Sequence, residues 1–273
     1  MNSIFSAIKT NIKTAKLIVL NTLILLSLLL TPSISYASKG KLVLIIDDMG
    51  YNKHDIDAFR LHGDITYAIL PHTPFSQQYA DLAYLANRDV ILHIPMESIN
   101  GKALGPGAIT EGMNEQQIHK VLGHALVDVP NAIGINNHMG SLLTQKRKPI
   151  NYTLTFLKQH NLFFLDSKTS PLSVVEEQAA KYDVISFHRN VFIDNDLSEE
   201  AMLKQFNLLI RIAQKYRHAV GIAHPYPETV TFLKKHLPTL EQKGVELTRI
   251  SDILPERHLQ IAKTVAEKSH SKD

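Results

Sequence analysis

From residue 41 onward the chain alternates two kinds of apolar pattern. Short runs are hydrophobic at nearly every position: KLVLII (41–46), ITYAIL (65–70), DVILHI (89–94), AIGIN (132–136), LFFL (162–165), VISF (184–187), AVGIA (219–223) and VELTRI (245–250). Such runs read as strands buried on both faces. Between them, segments such as SQQYADLAYLANR, NEQQIHKVLGHALVDV, NYTLTFLKQH, SEEAMLKQFNLLIRIAQKYR and PETVTFLKKHLPTLEQKG repeat their apolar residues at the spacing of an amphipathic helix. Strands that are apolar throughout need cover on both sides, so the alternation predicts an α/β fold on a parallel sheet. With seven or eight units and no glycine-rich phosphate loop, a closed or nearly closed (β/α) barrel is favoured over an open doubly wound sheet.

The polar residues that break this pattern fall at strand ends. The first strand runs into Asp47 and Asp48, the second into Pro71 and His72, the third carries His93, and the fourth ends in NNHMGS with His138. Later strands end in Asp166, in His188 and Arg189, and in His224. In a barrel the C-terminal ends of parallel strands converge on one mouth, so these residues become neighbours there. The longest aperiodic connection, ESINGKALGPGAITEG (97–112), reads as a loop beside that mouth, either a lid or a plain solvated insertion.

Residues 1–37 follow a different pattern. Lys9, Lys13 and Lys16 precede an apolar run over residues 17–30, and small residues follow up to Ala37. This is the layout of a secretory signal peptide with cleavage between Ala37 and Ser38, and the apolar run is shorter than the ~20 residues that span a bilayer. The expected organisation is a signal peptide (1–37), a barrel domain (38–256) and a tail (257–273), with the protein exported to the periplasm or beyond. The chain holds 29 basic and 26 acidic residues, and the three leader lysines are the whole excess. The remainder is formally neutral, which removes the electrostatic case for a nucleic-acid partner. There is no cysteine, so the core stands without disulfides and any metal site must use His, Asp and Glu.

Two successive residues of an extended strand point to opposite faces, so Asp47 and Asp48 are expected to take different parts. One would ligate a metal and the other would face the water that the metal holds. One Asp and two His with open positions suit a hydrolytic divalent ion, most naturally zinc.

The series IIDDMG, AILP, LHIPME, GINNHMGS, FLDSKTS, RNVFID and GIAHP spans nearly all of the chain after the leader and resembles the divergent polysaccharide deacetylases, an exported bacterial group. That resemblance implies a distorted (β/α) barrel, a divalent metal and hydrolysis of an acetyl group from an amino sugar of an N-acetylated glycan. It makes Asp47 the catalytic base and Asp48 a metal ligand. The wider family places two ligand histidines four residues apart, whereas here His93 is followed by Glu97. His138 is the expected replacement, giving Asp48, His93 and His138, with Glu97 as an alternative third ligand or a carboxylate orienting His93. His224 corresponds to the general acid that protonates the leaving amine. Asp166 is expected to orient that imidazole, Arg189 to pair with Asp47 or hold the oxyanion, and Asp194 to fix Arg189. A backbone N–H near Met139 or Gly140 is a further oxyanion donor.

The absence of histidine at position 97 keeps a rival open: a carbohydrate-binding module that retains the barrel and has lost turnover. An esterase or phosphoesterase would use the same metal and base. Asp47 and His224 favour chemistry, since neither is needed to hold a sugar.

Overall fold

The computed structural model describes residues 39–255. The expected leader (1–37) and tail (257–273) lie outside the described residues. The described part contains nine strands: β1 (Gly40–Met49), β2 (Thr66–Ile69), β3 (Val90–Met96), β4 (Ala132–Met139), β5 (Phe163–Asp166), β6 (Ser186–His188), β7 (Val191–Phe192), β8 (His218–Ala223) and β9 (Val245–Leu247). Every pairing is parallel, in the order β6-β5-β4-β3-β2-β1-β8-β7, and β9 pairs with the first three residues of β1. Helices α1 (Ser76–Leu85), α2 (Glu115–Asp128), α3 (Arg147–His160), α4 (Val175–Tyr182), α5 (Glu199–Tyr216) and α6 (Pro227–His236) cover the sheet.

The alternating pattern foretells this architecture with two differences. Val191–Phe192 is a strand too short to show a period. VELTRI is a strand only over Val245–Leu247, because the Arg249 N–H and the Thr248 hydroxyl both donate to the Asp252 carboxylate and turn the chain into a 3-10 helix at Ile250–Ile253.

Strands β6 and β7 lie at opposite ends of the ladder, yet only Arg189 and Asn190 separate them. The Arg189 N–H donates to the Asp166 carbonyl on β5 at 2.9 Å, and the Asn190 N–H donates to the Val220 carbonyl on β8 at 2.8 Å. The Asn190 side-chain oxygen accepts from the Val220 N–H at 2.7 Å. One extended segment thus leaves its partner at one end of the sheet and takes a partner at the other, curling the sheet into a distorted (β/α) barrel.

Strand residues divide by parity between two apolar clusters. Leu42, Leu44, Ile46, Leu92, Ile94, Phe164, Val191 and Ile193 pack with helix residues such as Tyr79, Leu122, Leu154 and Phe206. Val43, Ile45, Ile91, Phe163, Leu165, Val220 and Ile222 face the concave side with Ile250 and Leu254, and Phe187 and Phe192 pack against them. Because side chains alternate, continuing each concave series by two residues names what reaches the mouth. The series gives Asp47 from β1, His93 from β3, Arg189 after β6, Asp194 after β7 and His224 after β8. On β5 the same rule sends Asp166 outward, on the side of Phe164.

In β4 the parity is reset. Val90 pairs with Ala132 but Leu92 pairs with Ile135, so β4 holds one extra residue there. The Phe163 ring lies over Gly134, with three ring carbons 2.6 Å from where a Cβ would stand, so only glycine fits. Beyond this bulge Ile135 joins the helix-side cluster, while Asn136 and His138 come level with His93 and Pro95.

Asn190→Ala should strip the Val220 N–H of its partner at the point of closure. We expect a loss of about 1–3 kcal/mol in unfolding free energy, read as a lower urea midpoint with an unchanged slope; an unchanged midpoint would show that the closure does not depend on this side chain.

Candidate metal centre and active site

Asp48 would point toward the helices if β1 stayed regular. Instead Ile46 pairs with Tyr67 and Met49 with Ile69, so β1 spends three residues where β2 spends two. Asp48 sits in the left-handed region at φ 59°, a conformation that aspartate tolerates better than most side chains. The turn that follows is held by Asp55, whose carboxylate accepts from the Gly50 and Asn52 N–H groups at 3.0 Å each. The bulge brings both adjacent carboxylates to one imidazole: Asp48 Oδ1 lies 3.0 Å and Asp47 Oδ2 3.8 Å from His93 Nε2. The two aspartates are therefore not divided between opposite faces, because the backbone between them is not extended.

Three ligand atoms converge. Asp48 Oδ1 lies 2.7 Å from His138 Nδ1 and 3.0 Å from His93 Nε2, and the two nitrogens are 3.2 Å apart. A tetrahedral zinc site with bonds of 2.0–2.1 Å separates its ligand atoms by roughly 3.3 Å, so a slight spreading of these three would seat an ion. Among the described residues, Asp48, His93 and His138 form the His/Asp group that could hold a metal.

Asn136, buried beside His93, decides which nitrogen of that imidazole faces the cluster. The Asn136 amide N–H donates to Asp47 Oδ1 at 2.8 Å, which leaves the amide oxygen to accept from His93 Nδ1–H at 2.7 Å. With Nδ1 so occupied, Nε2 is the nitrogen turned to Asp48 and His138, donating to the Asp48 carboxylate while it carries a proton and open to an ion once that proton is lost, so one amide holds the proposed base and the proposed ligand in place. Burial lowers the pKa of His93, but the carboxylates of Asp47 and Asp48 outweigh it, so the net shift is upward. The cluster attracts positive charge. Burial likewise raises the pKa of Asp47, which makes it a stronger base than a solvated carboxylate, although His93, His224 and the Asn136 amide pull the other way. Asp48 is held well below the usual carboxylate range: burial raises its pKa, and hydrogen bonds from His138 and His93 reverse the effect.

His224 presents Nε2 to the cluster, 3.9 Å from Asp48 Oδ2. Its Nδ1–H donates to Asp194 Oδ1 at 3.0 Å and its backbone N–H to Asp194 Oδ2 at 2.6 Å; the Thr229 hydroxyl donates to the same oxygen at 2.9 Å. Burial lowers the His224 pKa, but the Asp194 hydrogen bond and charge, with Asp47 and Asp48, push it up to about 9. The imidazole thus carries a proton at neutral pH, as a general acid requires.

Several expected roles are reassigned by this geometry. Asp194, not Asp166, orients His224. Asp166 points out of the barrel, accepting from the Lys168 N–H at 2.8 Å and the Ser173 hydroxyl at 2.6 Å, and so shapes the loop after β5. Arg189 reaches the mouth, but its guanidinium donates to the carbonyls of Ser167 and Lys168 and stacks over Phe192 at 3.9 Å. Its charge is felt at Asp47 and Asp166 without a hydrogen bond to either being formed. Glu97 stands apart from the metal group: its carboxylate accepts from the Glu111 N–H at 2.7 Å and pins the loop over residues 97–112. The Gly140 N–H donates to the Met96 carbonyl at 3.0 Å, so that donor is committed to the backbone. Asn136 and Thr229 carry functional contacts that motif reading missed. Extending the concave parity past the β4 bulge finds Asn136, whereas Thr229 lies on α6 and gives no periodic signal.

With this fold and site in view, the comparisons agree on a class. The description of the divergent polysaccharide deacetylases matches residues 44–254, and the chain belongs to that family. It is 34% identical over 220 residues to an uncharacterized protein of Haemophilus influenzae, covering 80% of this chain and 78% of that one. It is 31% identical over 218 residues to the Escherichia coli protein YibQ, covering 80% of this chain and 68% of that one. The crystal structure of an uncharacterized protein from Agrobacterium tumefaciens superposes with a TM-score of 0.77 at 20% identity, covering 81% of this chain and 91% of that one; the likeness is one of fold.

The His224–Asp194 pair has a pH signature. Because the folded pKa of His224, about 9, lies above the ordinary 6.5, the pair's contribution to stability is fully present below pH 6.5 and lost as pH rises through 9. In an NMR titration of the protein stripped of metal, His224 should titrate near 9, and Asp194→Asn should move it down toward 6.5. A His224 pKa unmoved by that substitution would break the assignment.

Proposed function

We propose that this protein is an exported, metal-dependent hydrolase that removes acetyl groups from the amino sugars of an N-acetylated cell-envelope glycan. The observation that carries this reading is the convergence of Asp48, His93 and His138 beside a buried carboxylate, Asp47, and a protonated imidazole, His224. Family membership supports a carbohydrate substrate, and the basic and apolar leader ahead of Ser38 supports export.

A divalent cation held by one carboxylate and two imidazoles, zinc by the chemistry of that donor set, would polarise the acetamide carbonyl and acidify a water next to it. Asp47 takes the proton from that water, with its basicity raised by burial and its orientation held by Asn136. The oxygen of that water bonds to the carbonyl carbon, His224 gives its Nε2 proton to the amide nitrogen as the C–N bond breaks, and acetic acid, which then ionises to acetate in water, leaves with a neutral amine. Asp194 keeps Nδ1–H occupied and leaves Nε2 as the nitrogen that delivers. The two titratable groups are poised in opposite senses, base and acid, by their surroundings. That pairing favours turnover over a purely binding role.

Zinc content and acetate release should be measured together. The parent protein should hold one zinc and release acetate from N-acetylated oligosaccharides. Asp48→Ala or His138→Ala should lose the zinc, while Glu97→Gln should keep it. Asp47→Asn should keep zinc and lose roughly 10²-fold or more of the activity, the usual scale for a positioned base. A parent that takes up no zinc from excess, or a fully active Asp47→Asn, would refute the reading.

A further inference from the structure

The general acid stands within a column of planar groups. The Arg189 guanidinium lies 3.9 Å above the Phe192 ring, and Phe192 faces the His224 imidazole at 6.1 Å and 22°. His224 in turn faces Tyr226 at 5.5 Å and 32°. Tyr226 is 43% exposed and forms the outer plate. Burial first, then the charges of Asp48 and Asp194, raise the pKa of its phenol.

The backbone holds this ring in advance. Tyr226 lies between Pro225 and Pro227. A following proline disfavours the helical region for the residue before it, and Tyr226 sits at φ −67° and ψ 144° as the residue that opens α6. Two residues before Tyr226, the His224 N–H is anchored to Asp194. An aromatic plate of this kind is fixed before any ligand arrives, so little ordering entropy is lost when something stacks on it. The chain has no tryptophan, which leaves tyrosine and phenylalanine as its stacking groups.

We infer that the exposed face of Tyr226 is the stacking platform for the sugar ring that bears the departing nitrogen, and that it sets how tightly glycan is held beside His224. The inference rests on the hydrolase reading above and adds to it the residue that recognises the leaving group's ring. The apolar C–H face of a pyranose covers the phenol ring, and the amine carbon then lies on the side of the imidazole. A ring at position 226 matters for this role and its hydroxyl does not. Tyr226 is therefore a binding and specificity residue; the proton is delivered by His224.

The test uses zinc-loaded Asp47→Asn protein, in which turnover is suppressed, titrated with a tetramer of N-acetylglucosamine and followed by NMR. Adding Tyr226→Phe should leave the dissociation constant within about twofold. Tyr226→Leu, which keeps apolar bulk and removes the ring, should weaken binding about tenfold, the upper scale for an aromatic contact. In the active background Tyr226→Leu should raise KM while kcat and the His224 pKa stay near parental values, a split that a merely structural role would not give. If Tyr226→Leu binds as tightly as the parent, the platform is wrong while acetate release by the parent keeps the hydrolase reading standing. If Tyr226→Leu instead lowers kcat and shifts the His224 pKa, Tyr226 supports the acid and the platform is likewise overturned. If the zinc-loaded parent binds no N-acetylated oligosaccharide, both fall.

Discussion

The site depends on the backbone of Asp48 leaving the extended conformation. In a regular strand the two adjacent carboxylates would face opposite sides of the sheet, and Asp48 would be buried among helix-side apolar residues with no partner for its charge. The left-handed turn at φ 59° moves it to the mouth, where it meets His93 and His138. Other side chains at the mouth have the same unusual conformation: His72 after β2, Met139 at the end of β4 and Lys168 after β5. Histidine tolerates it better than most side chains, whereas Met139 and Lys168 are not of a type that favours it, and a residue so held costs of order 1–3 kcal/mol. At these positions strands end and side chains are re-aimed toward a common point.

Once Asp48 is turned, the electrostatics follow. Asp48 lies 3.0 Å from His93 and 2.7 Å from His138, and Asp47 lies 3.8 Å from His93; burial penalises the charges of Asp47, Asp48 and His93. Asn136 resolves part of the conflict by linking Asp47 to His93 through its two ends, so that neither is left unsatisfied. The Asp194 carboxylate, wholly buried and accepting three hydrogen bonds, does the same for His224. These two bridges separate the functions: Asp47 is made more basic, and His224 is made to keep its proton.

Most of the barrel was legible because fully apolar strands and amphipathic helices have different periods. The convergence of strand-end polar residues was legible too, since parallel strands must end together. What the residue pattern concealed were the local changes of parity. Asp166 and Asp194 look equivalent as strand-end acids, yet the apolar alternation of β5 sends one outward and that of β7 sends the other in. In FFLD and VFID both parities are apolar, so alternation alone does not say which one faces the mouth, and the difference emerges only in the fold. The bulges in β1 and β4 are another matter. Nothing in IIDDMG announces that Asp48 turns left-handed, and AIGINN shows only a glycine, whose need becomes apparent once the Phe163 ring is seen against it.

The central claim is that Asp48, His93 and His138 act as one ligand set because the bulge in β1 brings them together. X-ray absorption spectroscopy at the zinc edge of the stoichiometrically loaded protein reads that set directly. Nitrogen and oxygen ligands at about 2.0–2.1 Å with the outer-shell scattering of two imidazoles are expected. A spectrum with fewer than two imidazoles, or one unchanged by His138→Ala, would contradict it.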